Sequence, residues 1–144
     1  MPTIRRRRFL GLAVACWLPA AGVARAAAPA HPDRTWVLEA ERMRALAESW
    51  GDQSYGAVVV ADGQVIGYGP SRVVKDGDPD AHAERVALRE ALRARGAARL
   101  ANAVLYSTSR PCALCEAAAA RAGILRMYYG TAPLDAGPPG LRQR

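Results

Sequence analysis

Two short motifs carry the residues that could do chemistry together. His82-Ala83-Glu84 supplies an imidazole and a carboxylate, and Pro111-Cys112-Ala113-Leu114-Cys115 supplies two thiols. Two thiolates and one neutral imidazole are a donor set that suits Zn²⁺. Cys112 and Cys115, at i and i+3, share one face of a helix. A helix N-terminus carries partial positive charge and favours thiolates. Closed structural zinc sites use four protein ligands, whereas catalytic ones use three and leave a position for water. The only other histidine is His31, in a Pro/Ala-rich stretch. The pattern therefore predicts one Zn²⁺ per chain, held by His82, Cys112 and Cys115, with a bound water. Glu84 stands two residues from His82, so the two side chains diverge on a helix. That puts its carboxylate beside the open position, where it can handle the water's proton.

Each motif alone has a blander reading. A lone Cys-x-x-Cys also suits a thiol–disulfide centre. A lone His-x-Glu on a helix is usually a surface pair. Haem attachment needs a histidine after the second cysteine, and Glu116 stands there. The conjunction is far rarer than either half: each motif opens a predicted helix, a strand lies between them, and Pro111 precedes the first cysteine.

The elements that must position these residues follow from periodicity and turn chemistry. Asp33 to Trp50 reads as a helix closed by Gly51. Residues 55–61 form an apolar run rich in β-branched residues, Asp62-Gly63 is a hairpin turn signal, and residues 65–69 return as a second strand. Residues 70–80 read as a polar loop. Asp80, as N-cap, to Arg95 reads as a helix, 103–107 as a strand, Cys112 to Ala122 as a helix, and 124–129 as a fourth strand. The Pro/Gly-rich tail, 131–144, reads as irregular. A hairpin followed by helix–strand–helix–strand predicts an α/β fold with a mixed central sheet and helices on both faces.

Composition reports an address. The 144 residues include 20 Lys+Arg and 13 Asp+Glu, for a net charge of +7. Residues 1–26 hold Arg5, Arg6, Arg7, Arg8 and Arg25 and no acid. An arginine cluster, the 15-residue apolar run Phe9 to Val23 and the small residues around Ala24-Arg25-Ala26 have the layout of an export signal. Arg6-Arg7-Arg8-Phe9-Leu10 resembles a twin-arginine pattern. The run is shorter than the roughly 18–20 residues that a spanning helix needs. Lipidation at Cys16 is a second way to process the segment. Cleavage after Ala26 leaves 118 residues with 15 basic and 13 acidic side chains, a net of +2, and keeps only Cys112 and Cys115. The expected organisation is an export signal at 1–26, a loose lead-in at 27–33, one catalytic domain at 34–130 and the tail. The expected location is periplasmic, in a cleaved form with no stable membrane anchor.

The same motifs carry a resemblance. Residues 55–130 resemble the zinc-dependent cytidine/deoxycytidylate deaminase superfamily, whose signature joins His-x-Glu to Pro-Cys-x-x-Cys. The finer pattern is similar to its guanine deaminase, cytosine deaminase and tRNA adenosine deaminase branch. Asp78-Pro79-Asp80-Ala81-His82-Ala83-Glu84, Tyr55-Gly56-Ala57-Val58-Val59-Val60, Leu105 to Cys112 and Tyr128-Tyr129-Gly130 carry it. Ser71 falls where that branch usually has a substrate-holding Asn, and Ser54 replaces a Pro.

The resemblance implies a three-layer α/β/α sandwich and the hydrolytic deamination of a free nucleobase or nucleoside of guanine, cytosine or adenosine type. It implies Glu84 as the catalytic proton carrier and Ser71 and Ala83 as substrate contacts. Asp135 is a further candidate for lining the pocket, and Arg110 for steadying the Cys112 thiolate. A charge of +2 and export speak against a nucleic-acid partner. Because the family often forms dimers, a homodimer is among the expected states. Two alternatives stay open. One is a non-catalytic zinc-binding protein on this scaffold, motivated by Ser71 and the short tail. The other is an exported redox protein that uses Cys112 and Cys115 as a disulfide pair.

Overall fold

The computed structural model describes residues 32–141. The arginine-led segment, its cleavage points, Cys16 and His31 lie outside the described residues. Among the described residues nine elements follow in order: α1 (Arg34–Ser49), β1 (Gly56–Ala61), β2 (Gln64–Pro70), α2 (Val73–Asp76), α3 (Ala83–Arg95), β3 (Ala103–Ser107), α4 (Ala113–Ala122), β4 (Arg126–Tyr129) and β5 (Leu134–Gly137). Among the described residues no helix is long and apolar enough to cross a membrane.

The strands form one mixed sheet in the order β2-β1-β3-β4-β5. Only the β3–β4 pair is parallel, with Val104 opposite Arg126 and Ser107 opposite Tyr129. The β1–β2 hairpin turns where the sequence predicts. Asp62 and Gly63 both take positive φ, 53° and 71°, as a tight turn that matches the strand twist requires.

The period-2 alternation of the central strands builds two apolar layers. Val58, Val60, Val104, Tyr106 and Tyr128 face α1, whose Val37 and Ala40 cover them. Ala57, Val59, Ala61, Ala103 and Leu105 face the other way, against Ala87, Leu88 and Ala91 of α3 and Ala119 and Ala122 of α4. The result is the expected α/β sandwich.

The seat of α3 on β2 is unusually close. Gly67 and Gly69 of β2 meet Ala83, Ala87 and Ala91 of α3, and a Cβ on Gly69 would overlap the Ala83 carbonyl oxygen. Gly69→Ala is therefore expected to cost about 1–3 kcal/mol through overpacking. Thermal melting checks this, and an unchanged midpoint would contradict the seating described here.

Several elements differ from the sequence expectation. The loop 70–80 contains α2, a single turn held because Asp52 Oδ2 accepts hydrogen bonds from the Val74 and Lys75 N–H groups. The tail contains β5, which runs antiparallel to β4, with an Arg126–Asp135 ion pair beside it. Four residues among prolines show no strand periodicity, so only pairing with β4 reveals it. The helix starts also move. α3 begins at Ala83, with His82 rather than Asp80 at the N-cap, because residues 78–81 close a turn through the Ala81 N–H and the Asp78 carbonyl. Likewise α4 begins at Ala113, with Cys112 at the N-cap.

Candidate metal centre

His82 and Cys112 thus sit where two helices start, on the same side of the sheet. His82 takes extended backbone angles without a side-chain cap bond. Cys112 caps α4 itself: its Sγ accepts from the Cys115 N–H at 3.4 Å. That bond pre-orients the first thiol toward the second. The Cys115 side chain is fully buried and Cys112 is exposed, so the cluster lies at the boundary between core and solvent.

The three donor atoms converge. His82 Nδ1 lies 3.7 Å from Cys112 Sγ and 3.4 Å from Cys115 Sγ, and the two sulfurs are 3.2 Å apart. A tetrahedral Zn²⁺ with ordinary N and S bond lengths asks for ligand–ligand edges of about 3.5–3.8 Å. The two N–S edges match and the S–S edge is slightly short, so the donors fit zinc. Both cysteines are free thiols that point at the imidazole. Burial, and after it the Glu84 carboxylate alongside, pushes the Cys115 thiol well above its usual pKa. A bound cation reverses that balance by stabilising the thiolate.

Glu84 lies in the first turn of α3 and is 5% exposed. Its Oε1 accepts a hydrogen bond from Ser107 Oγ at 2.9 Å, and its carboxylate reaches Cys115. His82, Glu84, Cys112 and Cys115 are therefore brought together, as their spacing predicts. Ser107 was not singled out by the sequence motifs. Its signal is a polar residue on a strand whose neighbours on that face, Ala103 and Leu105, are apolar.

The remaining candidates are engaged in other contacts. Ser71 is fully buried, and its hydroxyl donates to Asp52 Oδ1 at 2.8 Å. In this arrangement its hydroxyl is engaged by Asp52. Asp52 is the organiser of this loop. Burial raises its pKa, but hydrogen bonds from Lys75, Ser71, Gln53 and Val74 outweigh that and hold it below the usual value. The Ala83 side chain is 1% exposed and packs in the core, so only its backbone is left for a substrate. Arg110 is exposed, with its guanidinium 6.0 Å from the centre of the Tyr129 ring. Asp135 is exposed and paired with Arg126 at the sheet edge. A cleft of ≈ 690 Å³ runs along β2, lined by Met43, Tyr68, Arg72, Arg89 and Arg93 among others, and none of the four clustered residues borders it.

Comparison with known proteins agrees with this geometry. Residues 31–131 match the family model for the cytidine and deoxycytidylate deaminase zinc-binding region. The chain is 37% identical over 103 residues to the tRNA-specific adenosine deaminase of Buchnera aphidicola, covering 72% of this chain and 68% of that protein. It is 37% identical over 86 residues to the guanine deaminase of Bacillus subtilis, covering 60% and 55%. A solved structure from a study of A-to-I editing by tRNA:A34 deaminases superposes with a TM-score of 0.66 at 38% identity, covering 68% of this chain and 71% of that one. The chain thus spans between about half and two thirds of the length of these curated relatives.

Proposed function

The chain belongs to the cytidine and deoxycytidylate deaminase zinc-binding family, and on that premise we propose that it hydrolytically deaminates a free nucleobase or nucleoside. The observation that carries this reading is the buried carboxylate of Glu84 set against a three-donor His/Cys/Cys cluster. His82 Nδ1 and the two Sγ atoms would hold one Zn²⁺. Bound there, the ion supplies Lewis acidity that makes a water acidic near neutral pH. Glu84 takes the proton of the attacking water as oxygen adds to the ring carbon that bears the amino group. It delivers that proton to the ring nitrogen, then takes the proton of the newly added hydroxyl and passes it to the departing amine. The C–N bond breaks, the carbonyl forms and ammonia leaves. One carboxylate serves as base and acid in turn.

A tRNA substrate is the second reading, favoured by the relative named for that activity. A net charge of +2 beyond residue 26 favours the small substrate, since a polyanion asks for a basic stripe. Ammonia release from guanine, cytosine, adenine, their nucleosides and a tRNA, assayed with the zinc-loaded chain, separates the two. Release from a base or nucleoside is expected. Release from tRNA alone would transfer the function to the second reading, and none from any of them would leave a zinc-binding protein without catalysis.

The arginine-led segment adds a proposal about place. Export through a twin-arginine route carries folded proteins, so the metal could be loaded and the thiols protected before crossing. Native protein is expected to be periplasmic and to begin near Ala27 by N-terminal sequencing. An intact Met1 on cytoplasmic protein would refute this.

A further inference from the structure

We propose that Ser107 is a positioning residue for Glu84. Its hydroxyl holds Oε1 and so sets the orientation of the carboxylate beside the His/Cys/Cys cluster. The inference rests on the deaminase reading above and extends it to a residue outside both motifs.

The first support is the chemistry of the strand face. Ala103 and Leu105 of β3 point into the apolar layer beneath α3 and α4, and Ser107 is the next residue on that face. A hydroxyl there is buried, at 3% exposure, and a buried hydroxyl needs a partner. Its partner is the Glu84 carboxylate, 2.9 Å away.

The second support is that both ends of the bond are fixed. Ser107 is paired with Ala57 of β1 on one side and Tyr129 of β4 on the other. Its carbonyl accepts from the Gly130 N–H at 3.0 Å. Glu84 is fixed by the close seat of α3 on Gly67 and Gly69. Neither backbone can shift to follow the other, so the bond selects the carboxylate's orientation. The Ser109 N–H lies 3.5 Å from Ser107 Oγ on its acceptor side, which leaves the hydroxyl proton for Glu84.

The test uses the zinc-loaded full chain, guanine, cytosine and adenosine as probes, and the Ser107→Ala and Ser107→Thr variants. Ser107→Ala is expected to lower kcat about tenfold, because a misaligned acid–base group loses rate and not affinity. KM and zinc content are expected to stay at wild-type values. Ser107→Thr keeps the hydroxyl and is expected to restore most of the rate. Ser107→Ala is expected to add nothing in a Glu84→Gln background, since it acts through Glu84. The visible spectrum of the Co²⁺-loaded chain supplies a readout that needs no substrate. It is expected to change in Ser107→Ala, where the released carboxylate can swing toward the metal, and to return in Ser107→Thr. An unchanged kcat in Ser107→Ala overturns the proposal, and so does a loss that Thr does not rescue or that comes with zinc loss. If wild type turns over neither these probes nor the remaining bases and nucleosides named above, the small-substrate reading fails instead. The Co²⁺ spectrum then decides the geometry alone, and an unchanged spectrum overturns it.

Discussion

Glu84→Gln is expected to cut ammonia release by about 10²- to 10⁴-fold, the range spanned by removal of a positioned acid–base group. The substitution is nearly isosteric, and a Gln side-chain oxygen can still accept from Ser107, so the fold and the buried contact survive. Metal content is expected to be unchanged, because the three donors that converge are His82, Cys112 and Cys115. Rate constants beside zinc stoichiometry for the same preparation check both halves. Turnover at the wild-type rate would remove Glu84 from the mechanism. Loss of zinc along with turnover would make it a ligand or a structural support.

Stripping the metal with a chelator is expected to have the other large effect. A ligand that binds only the folded chain stabilises it by about 4 kcal/mol at a thousand times its Kd. For a domain of this size that corresponds to a fall of roughly 10–20 °C in melting midpoint on removal. The cause lies in the site. Cys115 is buried beside Glu84, and both burial and that carboxylate oppose its thiolate. A bound Zn²⁺ would offset the proximity of these groups. Readdition of Zn²⁺ is expected to restore both midpoint and ammonia release. A midpoint indifferent to chelation would argue that the cluster holds no metal. If the purified chain also carried a reducible Cys112–Cys115 disulfide, the redox alternative would stand in its place. Restored stability without restored turnover would favour a zinc-binding protein that does no chemistry.

Much of the fold was legible because local signals and tertiary needs agree. The apolar run of β1 and the Asp62-Gly63 turn specify the hairpin without help from distant residues. Asp33 caps α1, accepting from the Thr35 N–H at 2.8 Å, and Gly96 and Gly123 stop α3 and α4 in left-handed conformations. The misses share a cause. α2 exists because Asp52, more than twenty residues earlier in the chain, satisfies its first N–H groups. β5 exists because β4 offers an open edge. Neither partner can be read from a local window.

The site shows the same division. The types and spacing in His82-x-Glu84 and Cys112-x-x-Cys115 determined which atoms could bind a metal and which could move a proton. That information is chemical, and chemistry follows residue identity. Only the tertiary structure decided where the groups stand. It placed His82 and Cys112 at the two N-caps, buried Cys115 and Glu84, and paired the Ser71 hydroxyl with Asp52. It also brought Ser107 across from β3 to hold Glu84. Those outcomes depend on how closely α3 sits on β2 and on which face of β3 each side chain takes. Both are set by packing between segments far apart in the chain, and no short motif records it.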